Sequence, residues 1–290
     1  MNSINGSKAR ADALPFELKF EPTFERKVQR RIRLAWLALL ISGVVLLWWS
    51  EFSRWGLAVE FWVSRQFYQA GVGFPLRDSA QFDFWWHIFP KRMMFLLPLW
   101  ALLQIIYGFV LRHQNRLAGI RRDEWLRWCA IFFIGLLTPV VLSALKKWTN
   151  QACPWSLSDF GGTLPYVHLL DPRPWAARTQ ACWPAGHAAV GLSMLVVSFV
   201  GGWPRALWRD EATLAAPRSP WLSAGAFAAY AVVLSMVLGF SQVMRGAHFI
   251  SHQVWSLWIV LVFNMLFVQL GVIKTRWWRS DRRSHETNGS

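Results

Sequence analysis

Six stretches of this chain, 34–50, 93–111, 128–145, 188–203, 221–241 and 253–273, contain no Asp, Glu, Lys or Arg. Each is 16–21 residues long, close to the roughly 20 residues an α-helix needs to cross the apolar core of a bilayer. In lipid every backbone N–H and C=O must find its partner inside the protein, so apolar stretches of this length resolve to helices. A soluble helical bundle would not need six of them. The sequence therefore predicts an all-α integral membrane protein, a six-transmembrane-helix bundle. The tryptophans mostly fit an aromatic belt at the two interfaces.

The formal net charge is +15, which by itself would allow a nucleic-acid partner. Its distribution argues against one. With the N-terminus in the cytoplasm, segments 1–33, 112–127, 203–220 and 274–290 hold 21 Lys and Arg, and segments 51–92, 146–186 and 242–252 hold 10. This is the positive-inside pattern of a multi-pass chain in a bacterial-type inner membrane, both termini cytoplasmic. The expected partners are the bilayer and a membrane lipid; nothing in the sequence speaks to oligomeric state. Three regions follow: a basic cytoplasmic tail (1–33), a six-helix membrane domain (34–273) and a second basic tail (274–290). Residues 1–33 are too polar for a signal peptide, so the first span is expected to be an uncleaved anchor. Phe24, Val28, Ile32 and Trp36 recur every four residues and extend the first helix back into the tail. Segment 51–92 is apolar yet carries Arg54, Glu60, Arg65, Arg77 and Asp83. It reads as an interfacial amphipathic segment after the first span, with a turn at Gly71, Gly73 and Pro75.

Chemistry-bearing residues concentrate in three places: Lys146–Pro154, Pro184–His187 and Arg245–His252. The topology carries all three to the non-cytoplasmic side, at the end of span three, the start of span four and the turn between spans five and six. Buried histidine and arginine at a span end are costly unless they line a polar cavity. The set suits phosphoryl transfer, which spreads negative charge over oxygens and needs cations to hold it. Lys146, Lys147 and Arg245 can supply those cations, although Lys147 reads more simply as an interfacial anchor. Gly186 lets backbone approach an oxyanion, and N–H groups at a helix start face the right way. One histidine can attack phosphorus and another can protonate the leaving oxygen. His248 and His252, four apart, could instead join His187 on a metal, as imidazoles do in zinc sites. No metal-binding carboxylate cluster accompanies them, so the expected chemistry uses no metal and no cofactor. Cys153 and Cys182 fall on the same side, where oxidation is available. A disulfide would tie the ends of loop 146–186 together; two free thiols packed near a site are the alternative.

The three blocks resemble the membrane-bound type-2 phosphatidic acid phosphatase superfamily, which also includes vanadium haloperoxidases. That pattern is Lys-x6-Arg-Pro, then Pro-Ser-Gly-His, then Ser-Arg-x5-His-x3-Asp. Here it reads Lys146-x6-Cys153-Pro154, Pro184-Ala185-Gly186-His187 and Ser241-Gln242-x5-His248-x3-His252. The resemblance implies that His248 is the nucleophile, that His187 protonates the leaving group, and that Lys146 binds phosphate with the Ala185–Gly186 backbone assisting. The chain departs from the pattern at Cys153, Ala185, Gln242 and His252. Arg245, one helical turn beyond Gln242, could return the missing guanidinium. His252 could accept the hydrogen bond that the absent aspartate would take from His248, with Asp159 or Asp171 as other candidates. Arg173 and Arg178 read as solvated loop charges, either of which could replace the arginine lost at Cys153. The expected activity is a lipid phosphate or diphosphate phosphatase working at the outer face through a phosphohistidine. The alternatives are a phosphotransferase using a polyprenyl diphosphate donor and a non-catalytic phospholipid-binding or transport protein.

Overall fold

The computed structural model describes residues 22–93, 95–113, 122–174, 180–197 and 224–287. Among these the chain is helical, with two isolated bridges in place of any sheet. Five helical stretches are long and apolar enough to cross a membrane: Gln29–Phe52, Ala80–Leu111, Trp128–Ser156, Ala226–Met244 and Ile250–Phe267. Each overlaps one of the expected windows, and the chain is a multi-pass membrane protein. The expected fourth span begins as a short helix at Ala188, stays largely helical to Val197 and then leaves the described residues. The expected cytoplasmic segment 203–220, Arg178 and residues 1–21 also lie outside them.

Helix α1 (Pro22–Leu47) starts at a proline, whose fixed φ and missing N–H suit a first turn. It therefore reaches well back into the expected tail. A π-turn, Trp48–Phe52, leads to Ser53, whose hydroxyl accepts from Gly56 N–H at 3.1 Å and caps α2 (Arg54–Arg65). Along α2, Gly56, Glu60 and Ser64 are buried at four-residue spacing, while Trp55 and Trp62 stand 78% and 63% exposed on other faces. The stripe turned inward is small and polar, and the surface turned outward is aromatic.

The chain then turns at Gly71 and Gly73, and Ser79 caps a helical run that was expected near residue 93. This run starts at Ala80 and passes through α3 (Ala80–Asp83), a π-turn (Phe84–Ile88) and α4 (Phe89–Met93) to α5 (Leu96–His113). The early start matters, because it places Asp83 and His87 one turn apart on the helical run that leads into α5, where an interfacial amphipathic segment was expected. Helix α6 (Arg122–Thr149) packs along α5 and ends at Asn150 with φ of 49°.

Helix α7 (Ala188–Ser193) packs on α6, on α8 (Ala224–Met244) and on α9 (Ile250–Thr287). Leu142, Trp183, Leu192, Leu195, Ala231, Trp255 and Val260 fill the space among these helices. Trp255 Nε1–H donates to Ser50 Oγ at 3.2 Å and Trp258 Nε1–H to the Leu39 carbonyl at 2.8 Å, so α1 and the π-turn after it are latched to α9 by indole hydrogen bonds. Helix α9 carries on to Thr287, through residues read from sequence as a separate tail. Outward faces are apolar, as on Leu40 and Val44 of α1, Leu103 of α5 and Phe133 of α6, which suits a lipid surround.

Candidate active site

A lattice of hydrogen bonds gathers the three sequence blocks. At the end of α6, Thr149 Oγ1–H donates to the Trp183 carbonyl at 2.9 Å, and the Gln151 carbonyl accepts from Cys182 N–H at 3.2 Å. On the other flank, Ala185 N–H donates to the His252 carbonyl at 3.0 Å, and Ser256 Oγ–H donates to the Ala185 carbonyl at 2.8 Å. Trp155 N–H reaches the Gly246 carbonyl at 3.0 Å. Gly246 has φ of +70°, and a Cβ there would lie 2.4 Å from the Phe74 ring, so only glycine fits this turn. A disulfide joins Cys153 to Cys182, with Cα atoms 5.2 Å apart.

The orientation of the histidines follows from one carbonyl. His248 Nδ1 lies 2.6 Å and His252 Nδ1 2.7 Å from the Cys182 oxygen. A carbonyl only accepts, so both imidazoles carry their proton on Nδ1 and keep a lone pair on Nε2. His252 thus sits beside His248 as a second donor to the same oxygen, ring centroids 5.9 Å apart, and does not take His248's hydrogen bond. The acceptor that the superfamily pattern supplies as an aspartate is here a backbone carbonyl. Burial pushes the pKa of His248 well below 6.5, and the charges of Lys146, His252 and His187 push the same way.

Lys146 leaves the last turn of α6 and lays its side chain over Gly186. A Cβ on Gly186 would meet Lys146 Cε and Nζ at 3.1 Å. The ammonium has no carboxylate partner among the described residues. Ala185 is fully buried and its N–H is engaged with His252, so the neighbouring Gly186 is the freer backbone. His187 follows, with both ring nitrogens buried and unpartnered. Burial lowers its pKa well below 6.5, as do the charges of His87, Lys146, Lys91 and Arg245.

Arg245 is not free. Its Nη2 is 2.7 Å from Asp83 Oδ1, Nη1–H donates to Gln242 Oε1 at 3.2 Å, and Nη2–H reaches the Arg77 carbonyl at 3.3 Å. Asp83 Oδ1 also lies 2.6 Å from His87 Nδ1, and the His87 ring meets the His187 ring edge-to-face with centroids 4.3 Å apart. Glu60 is buried under the start of α9, accepting Ile250 N–H at 2.8 Å and Ser251 N–H at 3.0 Å. A carboxylate there satisfies two orphan donors of the helix that carries His252. Burial raises Glu60 from 4.5 to about 7 against the pull of those bonds.

Sequence reasoning did not single out Asp83, His87, Glu60 or the Cys182 carbonyl. Asp83 and His87 did leave a signal: a carboxylate and an imidazole four residues apart ahead of an apolar span. Asp159 and Asp171 lie exposed in the loop. Arg173 is half-buried; its guanidinium donates to the carbonyls of Thr149, His168, Leu169 and Asp171 and closes that loop. Lys147 is exposed. No group of three or more His, Cys, Asp or Glu suited to a metal occurs among the described residues.

The described residues form a helical membrane chain in which His248, His252 and His187 gather with Lys146 around the turn at Gly186. A model of the PAP2 superfamily matches residues 127–276, and the chain belongs to that superfamily. No curated protein and no solved structure matches it. The superfamily is generally one of phosphatases and related hydrolases. The match begins downstream of Glu60, Asp83 and His87.

Proposed function

We propose that this protein hydrolyses a lipid phosphate or diphosphate at the outer face of the membrane through a phosphohistidine on His248. The observation that carries the reading is the shared Cys182 carbonyl. It fixes the His248 tautomer and leaves the Nε2 lone pair for attack, in surroundings where an unpaired lysine supplies positive charge. Nε2 attacks phosphorus, and the P–O bond to the lipid breaks with its electron pair on the departing oxygen, which takes a proton. Water then attacks the phosphohistidine, the P–N bond breaks, and phosphate leaves with His248 restored. Lys146, with the backbone at Gly186, holds the phosphoryl oxygens in both steps.

Arg245 acts through Asp83 in this reading, and His252 helps fix the Cys182 carbonyl. The positive-inside distribution supports a pocket on the non-cytoplasmic side. The aromatic surface of α2 lies at headgroup level, where indole rings are favoured, and the lipid tail runs among the apolar outer faces.

His248→Ala should reduce phosphate release from phosphatidate in detergent by at least about 10⁴-fold. Full activity in that variant would remove the mechanism. A panel of phosphatidate, phosphatidylglycerophosphate and undecaprenyl diphosphate then ranks the head groups. Phosphate appearing on a second lipid, without free phosphate, would establish the phosphotransferase instead.

A further inference from the structure

Two of this chain's departures from the superfamily pattern meet in one place. Cys153 stands where the pattern has an arginine, and His252 where it has the aspartate that would accept from the nucleophile. Sulfur joins Cys153 to Cys182, both buried, and the Cys182 carbonyl is the oxygen on which both imidazoles rest. A carboxylate four residues beyond the nucleophile is placed by the same stretch of chain. The acceptor here lies 66 positions from His248 and has to be brought to it. Hydrogen bonds dock its segment on the end of α6: Gln180 N–H donates to Asn150 Oδ1 at 3.1 Å, and Cys182 N–H to the Gln151 carbonyl at 3.2 Å. Such neutral bonds are individually weak and exchange with water. The disulfide beside them cannot slip.

It also closes a circuit around the nucleophile. Trp155, two residues after Cys153, donates its N–H to the Gly246 carbonyl at 3.0 Å, two residues before His248. The His248 ring donates to the Cys182 carbonyl, and the sulfurs return the path to Cys153. Main chain and ring of the nucleophile are thus referenced to the two halves of one cystine. The turn at Gly186 is held separately, by Thr149 on the Trp183 carbonyl and by Ala185 between His252 and Ser256. Opening the disulfide therefore acts on the acceptor of His248 and leaves the cradle of Lys146 and Gly186 in place.

We infer that the Cys153–Cys182 disulfide is a positioning element for the reaction: it holds the Cys182 carbonyl to the task that the superfamily pattern gives to a carboxylate, so phosphoryl transfer depends on the bond being closed. This rests on the phosphohistidine reading given above. Opening the bond takes two electrons and two protons and leaves a thiol on each cysteine. With an added phosphine as reductant, phosphorus supplies the electrons and becomes its oxide with the oxygen of water, whose two protons go to the sulfurs. Without the tether the Cys182 peptide is free to turn, and the His248 Nδ1–H loses its fixed acceptor. The ring proton then redistributes between the two nitrogens, and wherever it sits on Nε2 the lone pair that attacks phosphorus is gone.

The test separates positioning from folding. Cys153→Ser with Cys182→Ser, assayed below its Tm, should lower kcat on phosphatidate by about 10²-fold and move KM by less than about threefold. Ring-nitrogen spectra of isotope-labelled histidine should show His248 fixed as the Nδ1–H form in the parent and mixed in the double variant. Adding His252→Asp to the double variant returns the pattern's carboxylate and should regain at least about tenfold of the lost kcat. Should the double variant not fold, the parent reduced with the phosphine until Cys153 and Cys182 both take up an alkylating label carries the same comparison. Undiminished kcat without the disulfide would overturn the assignment. So would a fall in kcat with His248 still fixed as the Nδ1–H form, or no regain with His252→Asp. His248→Ala tests the reading beneath: phosphate release that survives it in the oxidised protein removes the phosphohistidine, whatever the disulfide does.

Discussion

The stretch matched by the superfamily, 127–276, and the segment ahead of it, 51–92, bring opposite things to the same place. The matched stretch brings His248, His252, His187, Lys146 and Arg245, all basic or cationic. The segment ahead brings the carboxylates: Glu60 under the first turn of α9 and Asp83 on Arg245 and His87. A cluster of positive groups with no counter-charge is costly in a low-dielectric surround. This chain lacks an acidic residue at position 252, where the superfamily pattern has one, and its nearest acids come from another part of the fold. The difference teaches that the motifs carry the cationic half of the cluster, and that the carboxylates balancing it are recruited from a separate segment.

The largest test of that division falls on the matched side. Lys146→Ala should lower kcat/KM by about 10²–10³-fold, the scale of losing one oxyanion-stabilising group; a near-wild-type variant would shift the cation to Lys91, on the other segment. Next is the covalent tie behind the shared carbonyl. Replacing both Cys153 and Cys182 by Ser opens a link spanning 29 residues and should cost about 3 kcal/mol of stability. It is read as a fall in the detergent Tm, and a reductant should produce that fall only in the parent protein.

Two smaller tests ask whether segment 51–92 is seated on the site. Gly246→Ala adds a methyl at positive φ against Phe74 and should cost about 1–2 kcal/mol. An unchanged Tm would mean that Phe74 and its segment do not press on this turn. The smallest effect is the pH dependence from Glu60. Its folded-state pKa, about 7, exceeds the starting value of 4.5, so the folded chain holds that proton more tightly than the unfolded one. The stabilisation is complete below the lower value and lost as pH rises through the higher one. Between pH 5 and pH 8 the Tm of the parent should fall, and Glu60→Gln should flatten that fall. Parallel curves would show that Glu60 is not buried beneath α9.

What could be read in advance has a physical explanation. Spans show because length and lack of charge are properties of the sequence itself. His187, His248 and Lys146 show because their residue types stand in a recurring order. The acceptor for both imidazoles could not show: a main-chain carbonyl is the same at every position, and only folding brings Cys182 to His248. Glu60 and Asp83 were visible as charges, but in an apolar, tryptophan-rich segment a charge is most simply interfacial. Arg245 looked like a free cation because the acid that pairs with it lies 162 positions earlier in the numbering. The length of α9 was hidden by its polar C-terminal composition, which resembles a tail.

The central claim is covalent, and the direct measurement is to catch the bond. Purified protein mixed with phosphatidate carrying a radioactive phosphate, quenched within one turnover into alkali where phosphohistidine survives, is digested and mapped. The account predicts label on the peptide containing His248, localised to that ring and absent in His248→Ala. Label on His87, His187 or His252 instead, or steady phosphate release with no labelled peptide at any quench time, would contradict it.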